Sequence, residues 1–308
     1  MMQTSLISWT LNAISPQLDC FTPPVDMRAA VSRITQLPPL PGIAQRILQL
    51  ATDPYADTTK LADIIELDPF LTAQVIRWAS SSFYGYKGKI LSVNDAITRV
   101  LGFDYVLNLA LSLSALRPLK APREGIIGTK MFWTHSLASA GLMKLLSEKM
   151  SVDKKPVAQQ VFLAALMHNI GFPLLGDQFP NEFDYLQRLI VANPSLAIHT
   201  IEKFAFGVDH TLLGTWLMNS WAMPKVITDI VYHHHNPNYR GENCQLNQLT
   251  FLNDCLLGQL GIGDALQQIC PDEIFVQLGL TKALCNEILE QFSSGADQIK
   301  ADAELLSA

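Results

Sequence analysis

Charge is scarce in this sequence. Only 16% of its 308 residues are Asp, Glu, Lys or Arg, against 49% hydrophobic. The few charges lean acidic, with 22 Lys and Arg against 28 Asp and Glu and a formal net charge of -6. No block of Lys and Arg appears, which argues against nucleic acid or an anionic membrane surface as partner. So apolar a composition also excludes disorder and points to a large buried core. Cysteine is sparse: Cys20, Cys244, Cys255, Cys270 and Cys285 are odd in number and form no CxxC pair. That excludes a disulfide framework and favours free thiols in the cytoplasm. No Lys or Arg precedes Arg28, so the positive region of a secretory signal is missing. The most apolar run, residues 106–116, is too short and too polar to span a bilayer. Gly85 and Gly88 are wrongly spaced for a phosphate-cradling loop, and no HExxH pair of metal ligands occurs. Apolar-polar alternation and fixed-period repeats are absent too, which leaves an all-α chain.

What is present is helical periodicity. Ile43, Ile47 and Leu50 fall at i, i+4, i+7 in a segment over 42–51, and Leu61, Ile64 and Ile65 mark another over 58–66. Asp68 before Pro69 caps a third helix, and Ser92 with Asp95 caps one over 93–101 that Gly102 ends. Further helices are expected over 104–116, 130–150, 156–170, 182–191, 196–204, 210–221, 224–235, 245–260, 272–278 and 281–292, followed by a polar tail. Residues 120–129, with Pro122, Gly125 and Gly128, read as a linker between two helical halves. Leu37-Pro-Pro-Leu-Pro41 is a stiff extended segment, read as a rigid turn into the first helix or as a polyproline ligand. Residues 1–27 read as an arm, loose or packed on the body.

The stretch Val161-Phe-Leu-Ala-Ala-Leu-Met-His-Asn-Ile-Gly171 is apolar on every side, the mark of a buried helix, with Gly171 and Pro173 as its stop. It places two polar residues, His168 and Asn169, at the end of a core helix, where they need partners. None of the seven histidines comes before residue 135. Imidazole and carboxylate are the ligands of divalent metals, and ligands on separate helices can converge in a bundle core. The candidates are His135, His168, His210, His234 and Asp254, one on each of five helices. His199 reads instead as a structural histidine. The run His233-His234-His235 has the alternative of a solvated helix end.

His135, the pair 168–169 and Asp254 resemble the H…HD…D pattern of the HD phosphohydrolase superfamily. More specifically, the chain resembles the HDOD family, the HD-related output domain of bacterial signalling proteins. The resemblance is carried by Leu37–Pro41, by Leu61-Ala-Asp-Ile-Ile65 with Asp68-Pro69-Phe-Leu-Thr72, and by Ser82-Phe-Tyr-Gly85. It continues through Ala96-Ile97, Leu101-Gly102, Trp133-Thr-His135, Met167-His-Asn-Ile-Gly171, His210 with Gly214, Trp221 with Pro224, and the His-His-Asn-Pro ending at Pro237. It covers roughly residues 31–260. It implies an N-terminal helical lobe over 31–119 and an HD-like helical bundle over 130–260; an arm over 1–30 and a helical extension over 261–308 lie outside it. It implies a signalling output module acting through an unidentified protein partner. The metal set it implies is His135, His168, Asn169, His210, His234 and Asp254.

The sequence departs from the catalytic pattern at the doublet, where Asn169 stands in place of Asp. An amide is neutral and holds a divalent ion poorly, and a paired-ion centre needs anionic bridging. Phe172-Pro173 stands where related phosphodiesterases carry a Lys, and Asn238-Tyr-Arg240 replaces a later Gly-Tyr-Pro. The expectation is a degenerate site without bound cofactor and without catalysis. The alternative is a metal-dependent phosphohydrolase holding Fe, Mn, Zn or Mg in the remaining ligands.

Overall fold

Helix caps fix the first half of the chain. The computed structural model describes residues 37–80, 85–266 and 268–307. Helix α1 runs Gly42–Ala51 and α2 runs Thr58–Glu66, opened by Asp57, whose side chain accepts from the Lys60 amide. Helix α3, Pro69–Ala79, starts on Asp68, which accepts from the amides of Phe70 and Leu71. Ser92 caps α4, Val93–Ala96, by accepting from the Asp95 amide. The expected helix over 93–101 then widens into a π turn at Ile97–Leu101, closed by a bond from Gly102 N to Ile97 O of 2.9 Å. Gly102 sits at φ 84°, which favours glycine, and α5, Phe103–Leu116, follows. The Ser82-Phe-Tyr-Gly85 signature and the arm at 1–30 lie wholly or mostly outside the described residues.

The second group of helices is built around α6, Thr129–Lys149, whose residues from Phe132 to Met143 are all buried. Against α6 pack α7 (Ala158–Met167), α13 (Cys244–Gln259), α15 (Lys282–Ser293) and α16 (Ala296–Leu306). The remaining elements are α8 (Gly171–Gln178), α9 (Pro180–Ala192), α10 (Ile198–Phe206), α11 (His210–Ser220), α12 (Lys225–His233) and α14 (Asp272–Leu278). The first group joins the second through α5 on α7. The opening segment bridges them as well, since Trp221 Nε1 donates to Pro38 O at 2.7 Å. The fold is all-α, two helical groups, with no strand among the described residues.

Two expectations need correction. The polar tail is helix α16, whose Glu304 pairs with Arg123 and with Lys130 at 2.6 Å. Its apolar face is narrow, with Ile299 and Ala303 buried, so periodicity alone did not reveal it. The buried helix over 156–170 stops at Met167, and Gly171 begins α8 rather than ending α7. Gly171 is there for contact: a Cβ on it would lie 1.9 Å from His210 O, so α8 and α11 meet backbone to backbone. Pro173 is tolerated because it falls within the first turn of α8, where its missing N–H has no partner to lose. Leu166, Met167 and Ile170 are fully buried around this junction, each contributing about 1.5–3 kcal/mol relative to exposure. That apolar packing holds His168 and Asn169 in place.

Candidate metal centre

Every histidine of the candidate set ends up inside. His135, His168, His210, His234 and Asp254 are each 2% exposed or less, and Asn169 is 4%. They form two adjoining sets rather than one.

The first set is His135, His168, Asn169 and Asp254. His135 Nε2 lies 3.2 Å and His168 Nε2 3.5 Å from Asp254 Oδ1. Asn169 Nδ2 donates to His135 Nδ1 at 3.0 Å and reaches Asp264 Oδ1 at 3.4 Å. Two acceptors flank that nitrogen, so the amide must present its NH2 group here. His135 then carries its own proton on Nε2, facing Asp254. His168 Nδ1 donates to Ala164 O at 2.9 Å, which leaves Nε2 free to take a proton beside the carboxylate. Burial opposes charge on His168, but Asp254 outweighs it and the ring is raised. Burial likewise opposes charge on Asp254, and the two imidazoles hold it far below the usual carboxylate range. Even so, His135 Nε2, His168 Nε2 and Asp254 Oδ2 are buried without a hydrogen bond of good geometry.

The second set is His210, His234, His235 and Asp264. Asp209 caps α11, accepting from the Leu212 amide at 3.1 Å, and places His210 at the first helical position. His210 Nδ1 donates to the fully buried Glu202 carboxylate at 2.6 Å. His234 ends α12 and donates Nδ1 to Val231 O at 2.9 Å. Both rings therefore turn Nε2 inward. His210 Nε2 lies 3.4 Å from His234 Nε2 and 3.1 Å from His235 Nε2. Asp264 Oδ2 lies 3.5 Å from His210 Nε2 and 2.9 Å from His235 Nε2. Burial disfavours a charged His210, yet Glu202 beside it lifts the ring to about 9. Burial first, then the neighbouring rings, push His234 well below its ordinary value, so it is neutral with a bare Nε2 lone pair. The sets touch through the His168 and His234 rings, 5.1 Å apart, and through Asp264.

The second set also keeps a buried carboxylate oxygen without a hydrogen bond of good geometry. Asp264 Oδ2 is buried without a hydrogen-bond partner, although two imidazole nitrogens are close. Four possible ligand atoms lie within 4.8 Å of one another. A tetrahedral ion with ~2.0–2.1 Å bonds separates its ligands by roughly 3.3 Å; four of the six separations here run from 2.9 to 3.5 Å, and all lie within 4.8 Å. Glu202 and Val231 O are the outer partners that fix the tautomers of ligating histidines. The residues fit a borderline divalent ion such as zinc, iron or manganese. Such an ion supplies Lewis acidity toward a phosphoryl or carbonyl oxygen.

Sequence reasoning missed three members. His235 was hidden by a one-residue ambiguity in the His run; it is not part of a solvated helix end, because its side chain is only 8% exposed. Glu202 sits one turn beyond His199 on an ordinary amphipathic helix. Asp264 lies past α13 in a turn whose glycines Gly261 and Gly263 have φ of 70° and 91°, and carried no signal. His199 stacks on His235 with centroids 4.6 Å apart, and burial with its histidine neighbours lowers its ring to about 4.

The centre is shut on its His135 side, while a larger cavity of about 350 Å³ reaches Asp264 and His199 on the other. The cavity reaching His135, Asn169, Phe172 and Asp264 is only about 10 Å³, room for at most one water. A Cβ on Gly263 would lie 2.6 Å from the His135 ring, so the turn bearing Asp264 rests directly on that imidazole. Phe172 stacks on His210 at 4.1 Å, filling the place where a phosphate-binding cation was expected.

Comparisons with known proteins agree with this fold. The HDOD domain family matches residues 37–237. A structure from Marinobacter aquaeolei, bearing the provisional name of a signal transduction protein, is 31% identical with a TM-score of 0.80 and aligns with 99% of this chain and 66% of its own. An HDOD domain protein of unknown function from Geobacter sulfurreducens shares the fold at 23% identity, TM-score 0.71, over 91% of this chain and 96% of its own. One from Shewanella amazonensis, provisionally named a metal-dependent phosphohydrolase, shares it at 20% identity, TM-score 0.61, over 98% and 99%. An uncharacterized Treponema pallidum protein is 24% identical over 204 residues, 66% of this chain and 38% of that protein's length. The chain thus spans about two-thirds of the Marinobacter chain and well under half of the Treponema protein. No described helix is long and apolar enough to cross a membrane. With two-thirds of its length matched and the helical architecture shared, the chain belongs to the HDOD domain family.

Proposed function

We propose that this chain is a bacterial signal-transduction output module that acts in the cytoplasm by contact with a protein partner and does not turn over phosphoesters. The observation that carries this reading is the lack of room beside the doublet. A phosphodiester needs a cleft of some hundreds of Å³, whereas about 10 Å³ adjoins His135 and Asn169. The doublet residue is the uncharged Asn169, its NH2 engaged by His135 and Asp264. The cation expected beside a phosphate is Phe172, packed on His210. A paired-ion hydrolase would find neither a carboxylate at the doublet nor substrate space beside it. The Marinobacter relative's signalling name supports the same direction.

One observation favours a second reading, a metal-dependent phosphohydrolase: the two groups of ligand atoms adjoin, as in a paired-ion site. Purified untagged protein, incubated with one equivalent of Mn²⁺, Fe²⁺ or Zn²⁺, separates the two with bis(p-nitrophenyl) phosphate and a cyclic dinucleotide as substrates. Release no faster than the metal-only blank is expected. Turnover that disappears in Asp254→Ala would establish the hydrolase.

A further inference from the structure

We propose that Asp264, on the turn after α13, is the anionic ligand of this centre in place of the neutral Asn169, and that one divalent ion held by His210, His234, His235 and Asp264 fastens the C-terminal segment to the helical bundle. Asp264 lies beyond residue 237, where the family match ends. It is not a doublet position, yet its carboxylate touches the doublet: Oδ1 is 3.4 Å from Asn169 Nδ2. The other oxygen, Oδ2, faces His210 and His235 and has no hydrogen-bond partner although the residue is only 6% exposed. A buried carboxylate oxygen without a hydrogen bond is expensive unless a cation sits beside it.

The ligand chemistry then balances. His210 and His234 have committed their Nδ1 protons to Glu202 and to Val231 O. Each therefore turns only Nε2 toward the ion, and His210 gives up its Nε2 proton to solvent when the ion binds. Three neutral nitrogens and one carboxylate leave a divalent ion with a single residual positive charge, and the nearby Glu202 carboxylate offsets it. The set is closed, all four positions being protein, as in structural rather than catalytic metal sites.

The ion would also order the chain. His210, His234 and His235 come from α11 and the end of α12, while Asp264 comes from the turn after α13 that leads toward α14, α15 and α16. Ile262 and Ala265 beside Asp264 are buried, and the Gly263 backbone leans on His135. Ligation at Asp264 therefore pins the start of the C-terminal segment, and its loss frees that segment. An ion held this way needs no turnover, so an absence or presence of hydrolysis leaves this site untouched.

Calorimetric titration of the full chain with Zn²⁺ after chelator treatment and desalting tests the assignment, together with hydrogen exchange of residues 260–266 and α16. One equivalent is expected to bind. Asp264→Asn should weaken binding at least about tenfold, and Zn²⁺ should slow exchange at 260–266 in the parent but not in the variant. Should Asp264→Asn fail to fold, His235→Gln, at the less buried edge, should show the same loss. No binding by the parent, unchanged affinity in the variants, or Zn²⁺ binding without added protection would each overturn the assignment.

Discussion

Replacing Asn169 by Asp restores the residue type of the catalytic doublet, and here it should harm the metal-free protein. The new carboxylate would stand about 3.4 Å from Asp264 Oδ1, where the amide now donates. Two ionised carboxylates at that distance repel by about 5 kcal/mol at an effective dielectric near 20. Loss of the donor to His135 Nδ1, now 3.0 Å away, adds about 1 kcal/mol or more unless the imidazole switches tautomer. Protonation of the pair limits the total, so a loss of about 3–5 kcal/mol at pH 8 is expected. The repulsion raises the folded-state pKa of the new carboxyl above its unfolded value near 4. The folded state then holds the extra proton, and the penalty is small below pH ~4 and grows as pH rises through the folded pKa. Urea melts in chelator at pH 5 and pH 8 measure this. The swap Asn169→Asp with Asp264→Asn keeps one amide and one carboxylate in contact and should recover at least half the loss. If Asn169→Asp melts like the parent at pH 8, or if the swap is no better than the single variant, the carboxylate has not moved to 264 and the reasoning fails.

The remaining predictions probe the frame of the centre. Glu202→Gln removes a charge-assisted hydrogen bond of 2.6 Å to His210, which should cost about 1.5–3 kcal/mol. It should also bring the His210 ring down from about 9; an imidazole NMR titration that stays unchanged would refute the pairing. Gly171→Ala places a Cβ 1.9 Å from His210 O, so it should destabilise by about 2–3 kcal/mol despite alanine's better helix propensity, and a raised melting temperature would show that α8 and α11 are not in backbone contact. Asp209 is held down to about 2: burial opposes its charge, but His210, Lys203 and Thr211 outweigh it. Its contribution of about 2 kcal/mol is present above its unfolded pKa near 4 and lost as pH falls toward 2, so Asp209→Asn should flatten the acid limb of a stability-pH profile.

Local chemistry was legible in the sequence, and convergence was only partly so. Asp68 and Ser92 were readable as caps because a cap needs nothing beyond three residues of context, and both accept the expected amides. The buried character of 161–170 followed from apolar residues on every side of a helix. Gly171 was misread because its meaning is a tertiary contact with His210, invisible along the chain. The histidines were recognisable as a group through the family resemblance, but their division into two sets depends on ring orientation set by Ala164 O, Glu202 and Val231 O. Asp264 had no signature, since its turn gains significance only by folding back onto His135 and His235.

Anomalous scattering at the zinc edge, from crystals grown with one equivalent of Zn²⁺, tests the central claim most directly. The account predicts a single peak among His210, His234, His235 and Asp264 with Asp264 bonded to it. Two peaks bridged by solvent across His168, Asn169 and Asp254, with Asp264 turned aside and the cavity open, would contradict it.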